Sequence, residues 1–269
     1  MVPLRDREPF LFLEYGRLSA DDSAFLFENK SGCFDVPAAM FAALLLQPGV
    51  TVTHEAVRLA AQQQTLLIWV GEGGARYYST GLTRASRITS RIMRQAEIAQ
   101  SDILRTEAAR NVYRIMFDAQ PVGLSRLDQF RGWEGARVRE LYKEIANQYG
   151  ITWVSKQAAP TALQQCLGMA TSCLYALCEA VIHASGYHPS IGIIHSGSPV
   201  SLAYDLADTV KFKTVVPLAF QVYSLGTKSP LVDARHACRD SFRRHKLSAI
   251  LFDNIQEIFD VDSREDEIT

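Results

Sequence analysis

The sequence predicts an α+β chain: a small, β-sandwich-like N-terminal domain over residues 1–84, then a larger all-α domain over residues 85–269. Short apolar runs broken by Gly, Asp, Ser and Asn turns fill the first eighty-odd residues. From about Ser86 onward, apolar residues recur instead with the 3.6-residue period of a helix. A hydrophobic content of 48% against 21% charged is enough for one large core or two modest ones and excludes a disordered chain.

Residues 10–15 and 24–28 read as strands on either side of the turn-rich Ser19-Ala20-Asp21-Asp22. A second turn at Lys30-Ser31-Gly32 leads into residues 33–36, a meander pattern. Thr53 then caps a short helix whose apolar positions are Ala56, Val57, Ala60 and Ala61. Leu66–Val70 follows as a buried strand, and Gly71, Gly73 and Gly74 turn the chain into a last strand around residues 76–79. Helices are expected over 87–117, 133–148, 161–185, 199–210, 212–224, 230–245 and 247–260. Pro121, Gly150, Pro160, the loop 186–197 and Pro230 separate them.

The longest apolar runs fall far short of the roughly 20 residues that a membrane span needs. The first residues mix charges of both signs without an apolar stretch, so no secretory signal is expected. Cys33, Cys166, Cys173, Cys178 and Cys238 are odd in number and lack C-x-x-C spacing, which suits reduced thiols and a cytoplasmic protein away from membranes.

A net charge of −1 is no sign of a polyanion ligand. Its distribution is more informative. Residues 252–269 set seven acids against Arg264, a net −6, so residues 1–251 carry +5. Arg84, Arg87, Arg91 and Arg94 recur at helical spacing, as do Arg235, Arg239, Arg243 and Lys246. Like charges so placed repel, which favours a phosphate track; solvated faces or pairs within the chain remain the alternative.

Glu134 lies between Gly132 and Gly135, two residues that permit close approach, at the start of an amphipathic helix. It is either a site carboxylate or a first-turn acid favourable to the helix dipole. Further on, an apolar stretch delivers His195 into a Gly/Ser loop, and the next helix presents Asp205 and Asp208 three residues apart, with Lys211 three further. Two unpaired carboxylates on an otherwise apolar helix need a cation nearby. Glu, His and Asp together suit Mg2+ or Mn2+ with open water positions better than a structural zinc. Such an ion serves phosphoryl transfer. Helix-end acids and a capped loop histidine are the alternative reading.

At these residues the chain resembles the integrase subunit of CRISPR adaptation, nearest the subtype I-E branch. The matching stretches include residues 57–62, 66–71, 131–139, 165–175, 195–212, 214–217 and 237–240, in the same order. The resemblance implies an N-terminal β domain that dimerises and an α-helical catalytic domain. It assigns Glu134, His195 and Asp208 as ligands of Mg2+ or Mn2+, with Asp205 an acidic neighbour needed for activity. It places Tyr15 against the end of an incoming duplex, and Arg58, Arg76, Tyr175, Lys211 and Arg235 near DNA. Arg137 and the two arginine stripes, Arg84, Arg87, Arg91 and Arg94 with Arg239 and Arg243, join that DNA-binding set.

The implied reaction joins the 3′-hydroxyl of a short fragment to the repeat of a CRISPR array by transesterification. The implied partners are double-stranded DNA with 3′ single-stranded ends, repeat DNA, a second copy of the chain and a small dimeric partner subunit. A stand-alone metal-dependent nuclease for branched or single-stranded DNA, and a non-catalytic DNA-binding scaffold, are the competing readings. Residues 154–161 are shorter than the corresponding stretch in relatives, and Thr51 stands where they often have arginine.

Overall fold

The computed structural model describes residues 7–71, 77–81, 89–119, 126–154 and 161–261. Among the described residues, eight strands precede a helical region, so the α+β class expected from the change of period is the one observed. The boundary expected between residues 84 and 85 lies outside the described residues.

The strands β1 (Glu8–Leu13), β5 (Phe41–Leu46), β7 (Leu66–Val70) and β8 (Tyr77–Thr80) form one sheet in the order β1-β5-β7-β8. A second sheet has the order β4-β3-β2-β6, from β2 (Gly16–Asp21), β3 (Ala24–Asn29), β4 (Gly32–Pro37) and β6 (Val50–Val52). The meander expected from the turns is only the β2-β3-β4 part. β1 pairs with β5, β5 with β7, and β2 with β6, all in parallel. Ser19-Ala20-Asp21, read as a turn, lies inside β2 and pairs with Leu26, Phe25 and Ala24; the turn comes after it, where Asp22 takes a positive φ of 49°.

β5 and β7 are apolar on both faces because each face meets a core. Leu44, Leu46 and Leu67 pack with Leu18, Phe25 and Phe27 of the second sheet and with Leu59 of α1 (His54–Gln63). Ala43, Leu45, Ile68 and Val70, on the opposite face, join the helical core. Thr53 caps α1 as expected, its hydroxyl accepting the Ala56 amide. Val57, counted as apolar lining, is exposed, and Leu59 takes the inward position.

The helical region begins with α2 (Thr89–Gln100) and α3 (Asp102–Phe117), read as one helix from sequence. Ser101 breaks it: its backbone is extended, and its hydroxyl caps α3 by accepting the Leu104 amide. α4 (Leu127–Gln148) begins six residues earlier than expected, which moves Glu134 from the first turn into the helix interior. α5 (Ala162–Ala184), α6 (Ser201–Lys211), α7 (Val215–Ser224), α8 (Pro230–Arg244) and α9 (Leu247–Phe259) follow. α5 is long and apolar enough to cross a membrane, yet its side chains form the centre of the helical core, Met169, Leu174, Leu177 and Val181 among them.

Candidate active site

His195 stands in the irregular stretch between α5 and α6, where the backbone lacks the regular ladder of a helix or strand. Side chains satisfy much of it instead. Asp205, fully buried on α6, accepts the amides of Ile193 at 2.5 Å, Ile194 at 3.2 Å and His195 at 2.9 Å. Arg105 of α3 donates to the Ile193 carbonyl at 2.7 Å, and Arg131 of α4 to the Ile194 carbonyl at 2.5 Å. Gln95 of α2 donates to the carbonyls of His188 and Ile191 at 2.8 and 2.6 Å. Gly192 is required here because a Cβ would lie 2.4 Å from the His195 carbonyl oxygen and 2.9 Å from Asp205 Oδ2.

The same Asp205 carboxylate lies 2.7 Å from His195 Nδ1. A carboxylate at this contact accepts, so Nδ1 carries the proton and Nε2 of the neutral ring is left as the donor of a lone pair. The hydrogen bond from Asp205 raises the His195 pKa against the opposing effect of burial, and the charges of Asp205, Asp208 and Glu134 add to the rise. Tyr204 meets the imidazole edge-on at 5.6 Å and packs against Tyr175 at 4.9 Å.

Asp208 sits one turn beyond Asp205. Burial pushes its carboxyl up to about 6; Lys211 and His195 oppose the rise, while Glu134 and Asp205 reinforce it. Lys211 Nζ is 3.6 Å from its Oδ1. Glu134 approaches from α4, where Oε2 accepts a 2.9 Å hydrogen bond from Tyr113 of α3. Spacing gave no sign of Tyr113, which lies 21 residues from Glu134 and is brought to it by helix packing.

The expectation of two unpaired carboxylates on α6 is corrected. Asp205 is satisfied by backbone and imidazole and is a positioning residue, whereas Asp208 remains with the site, accompanied by Lys211. Among the described residues no three His, Cys, Asp or Glu side chains already close into a metal cage. The donor set nevertheless fits a divalent cation: one buried carboxylate held up in pKa, one anchored carboxylate and an imidazole fixed in the ligating tautomer. A cavity of about 600 Å3 between the first turns of α3 and α4, lined by Asp102, Ile103, Arg110 and Arg126, contains none of these groups.

The expected DNA-binding residues divide by environment. Tyr15 is 62% exposed, with a positive φ of 45°, its ring against Gly49, and Arg58 is exposed on the outer face of α1. Arg76, Arg84 and Arg87 lie outside the described residues. Arg91 donates to the Ser185 carbonyl at 2.7 Å, and Arg94 to that of Val261 at 2.6 Å and to Glu97. Arg137 stacks over Trp133 and Phe117.

The second stripe is not the bare track its spacing suggested. Arg235 is buried, paired with Glu14 and stacked over Phe12, while Arg243 pairs with Glu8 at 3.1 Å and Arg239 with Asp240 at 2.8 Å. Carboxylates from β1 and its end offset the repulsion along α8, ligands that helical spacing alone could not reveal.

The family model described as CRISPR associated protein Cas1 matches residues 10–152. The chain is 40% identical over 264 residues to the CRISPR-associated endonuclease Cas1 of Escherichia coli (strain K12), covering 96% of this chain and 86% of the relative. It is 38% identical over 264 residues to the CRISPR-associated endonuclease Cas1 of Geobacter sulfurreducens, with the same coverage. The solved complex of TtCas1 with DNA has the same fold, with a TM-score of 0.86 at 30% identity over 95% of this chain and 93% of that one. The chain belongs to the Cas1 family of CRISPR-associated endonucleases.

Proposed function

We propose that this chain is the integrating enzyme of CRISPR spacer acquisition, joining the 3′-hydroxyl ends of short DNA fragments to the repeat of a CRISPR array. The observation that supports the reading most is the 2.7 Å contact of Asp205 with His195 Nδ1, which holds the histidine in one tautomer, with Asp208 and Glu134 near enough for their charges to act on the ring. Glu134, His195 and Asp208 are the residues that would hold one divalent cation, Mg2+ or Mn2+. When bound, that ion would supply charge neutralisation at phosphate and activation of the attacking hydroxyl.

The protein's own part is positional. Asp205 keeps the His195 ring and backbone in place, and Lys211 offsets charge beside Asp208. The fragment's 3′-oxygen forms a new bond to phosphorus, the bond to the repeat strand's 3′-oxygen breaks, and that oxygen leaves as a hydroxyl. One phosphodiester replaces another, so no nucleotide triphosphate is consumed. TtCas1, similar over nearly the whole chain, has been solved with DNA, which supports DNA as the ligand here. Tyr15 and Arg58 are the exposed residues assigned to the duplex, and a second copy of the chain and a small dimeric subunit are the proposed protein partners. The acidic tail is assigned to the latter contact.

The test is to incubate the protein and its Asp208→Ala variant with Mn2+ and a branched DNA that mimics a half-joined product, following strand length on a denaturing gel. Resealing that is lost in the variant and in chelator supports the reading. Cleavage without rejoining points to a stand-alone nuclease, and binding without chemistry to a scaffold.

A further inference from the structure

Glu134 has a constraint that no ligand role requires. A glutamate on a half-buried helix face has three side-chain torsions to order before it can act. One of its oxygens, Oε2, is held at 2.9 Å by the hydroxyl of Tyr113, which is 1% exposed and belongs to a different helix.

The tyrosine itself cannot shift freely. Its ring stacks on Phe130 at 5.5 Å with 2° between planes and on Phe117 at 6.4 Å with 9°, and the edge of Trp133 closes a third side at 6.2 Å. Arg110 covers Phe130, and Arg137 covers Phe117 and Trp133, so guanidiniums cap the aromatic cluster. Phe130, Trp133 and Arg137 sit on α4 four and one residues before Glu134 and three after it, so one stretch of helix carries both the carboxylate and the grip on its donor.

We propose that Tyr113 is a positioning residue that holds Glu134 Oε2 and leaves the other carboxylate oxygen for a divalent cation. A tyrosine needing only a partner for its hydroxyl could use a main-chain carbonyl, and the carboxylate would stay mobile. Holding one oxygen favours monodentate ligation and lowers the ordering cost when the ion binds. The inference rests on the reading that Glu134 helps to hold a cation.

The experiment compares the full chain with Tyr113→Phe and Glu134→Ala, measuring Mn2+ binding by calorimetry without DNA, thermal midpoint, and strand joining against Mn2+ concentration. Phe keeps the ring and its stacking, so the midpoint should stay close to the native one. Mn2+ affinity should fall about tenfold or more, with joining recovering toward the native rate at high Mn2+. A folded Tyr113→Phe chain with native Mn2+ affinity, while Glu134→Ala binds weakly, would overturn the inference and leave the site reading intact. Native affinity in Glu134→Ala would overturn both.

Discussion

Asp205 and His195 meet twice: Oδ1 lies 2.7 Å from the ring Nδ1 and 2.9 Å from the amide nitrogen of the same residue. One carboxylate therefore sets the backbone path and the ring orientation together, while Oδ2 takes the two preceding amides. Asparagine preserves the shape but replaces one acceptor oxygen with a donor that faces N–H groups. Asp205→Asn should lower joining at least 10–100-fold and cost about 2–4 kcal/mol in urea denaturation. Its DNA affinity should remain native in a binding titration, because Asp205 is buried.

Gly192 has no room for a side chain. A Cβ would lie 2.4 Å from the His195 carbonyl oxygen and 2.8 Å from Ser201 Cβ, both in the buried loop and helix start. Gly192→Ala should destabilise by about 1–3 kcal/mol and remove joining more completely than the stability loss explains. Gly132→Ala is the control, since nothing lies within 4 Å of its Cβ position on α4. That change should be neutral or stabilise by about 0.5–1 kcal/mol.

Burial raises the Asp208 carboxyl from 3.8 to about 6. Between those values the folded chain binds more protons than the unfolded one, so stability falls as pH rises through this window and levels off above it. Asp208→Asn should flatten that slope and, in chelator at pH 7, raise stability by on the order of 2 kcal/mol. Mn2+ affinity of the native chain should weaken as pH drops below about 6, because the ligands must then lose protons to bind. Calorimetry and denaturation across pH 4–8 check both.

Arg235 links the helical region to the end of β1 through Glu14, with its guanidinium 4.6 Å above the Phe12 ring. Removing either partner leaves a poorly solvated charge. Glu14→Gln and Arg235→Met should each destabilise by about 1–3 kcal/mol, the double variant by less than their sum. A double-mutant cycle showing no coupling would count against the link.

Much of the fold is legible because it depends on local physics. The helices after residue 126 follow apolar periodicity, and Thr53 and Pro230 mark helix starts through capping and a fixed φ. The Ser101 break leaves little trace in the sequence, since apolar periodicity runs through it and the cap competes with helix continuation by one side-chain bond. Parallel pairing of β1 with β5 and of β2 with β6 was not legible either. Turn residues report hairpins, whereas parallel partners are separated by chain that carries no signal of where it returns.

By itself, the sequence determined the class of the fold and most of its helices, and it offered Glu134, His195, Asp208 and Asp205 as candidate site residues. Tertiary structure alone decided how those groups divide the work. Residues three apart on a helix differ by only about 60° in direction, so spacing could not say that Asp205 turns into the loop while Asp208 stays with Lys211. Nor could it pair Tyr113 with Glu134, or Arg235 and Arg243 with Glu14 and Glu8. Charge repeats and helical faces are properties of one segment, but the partner of a polar group is chosen by whichever distant segment packing brings within about 3 Å.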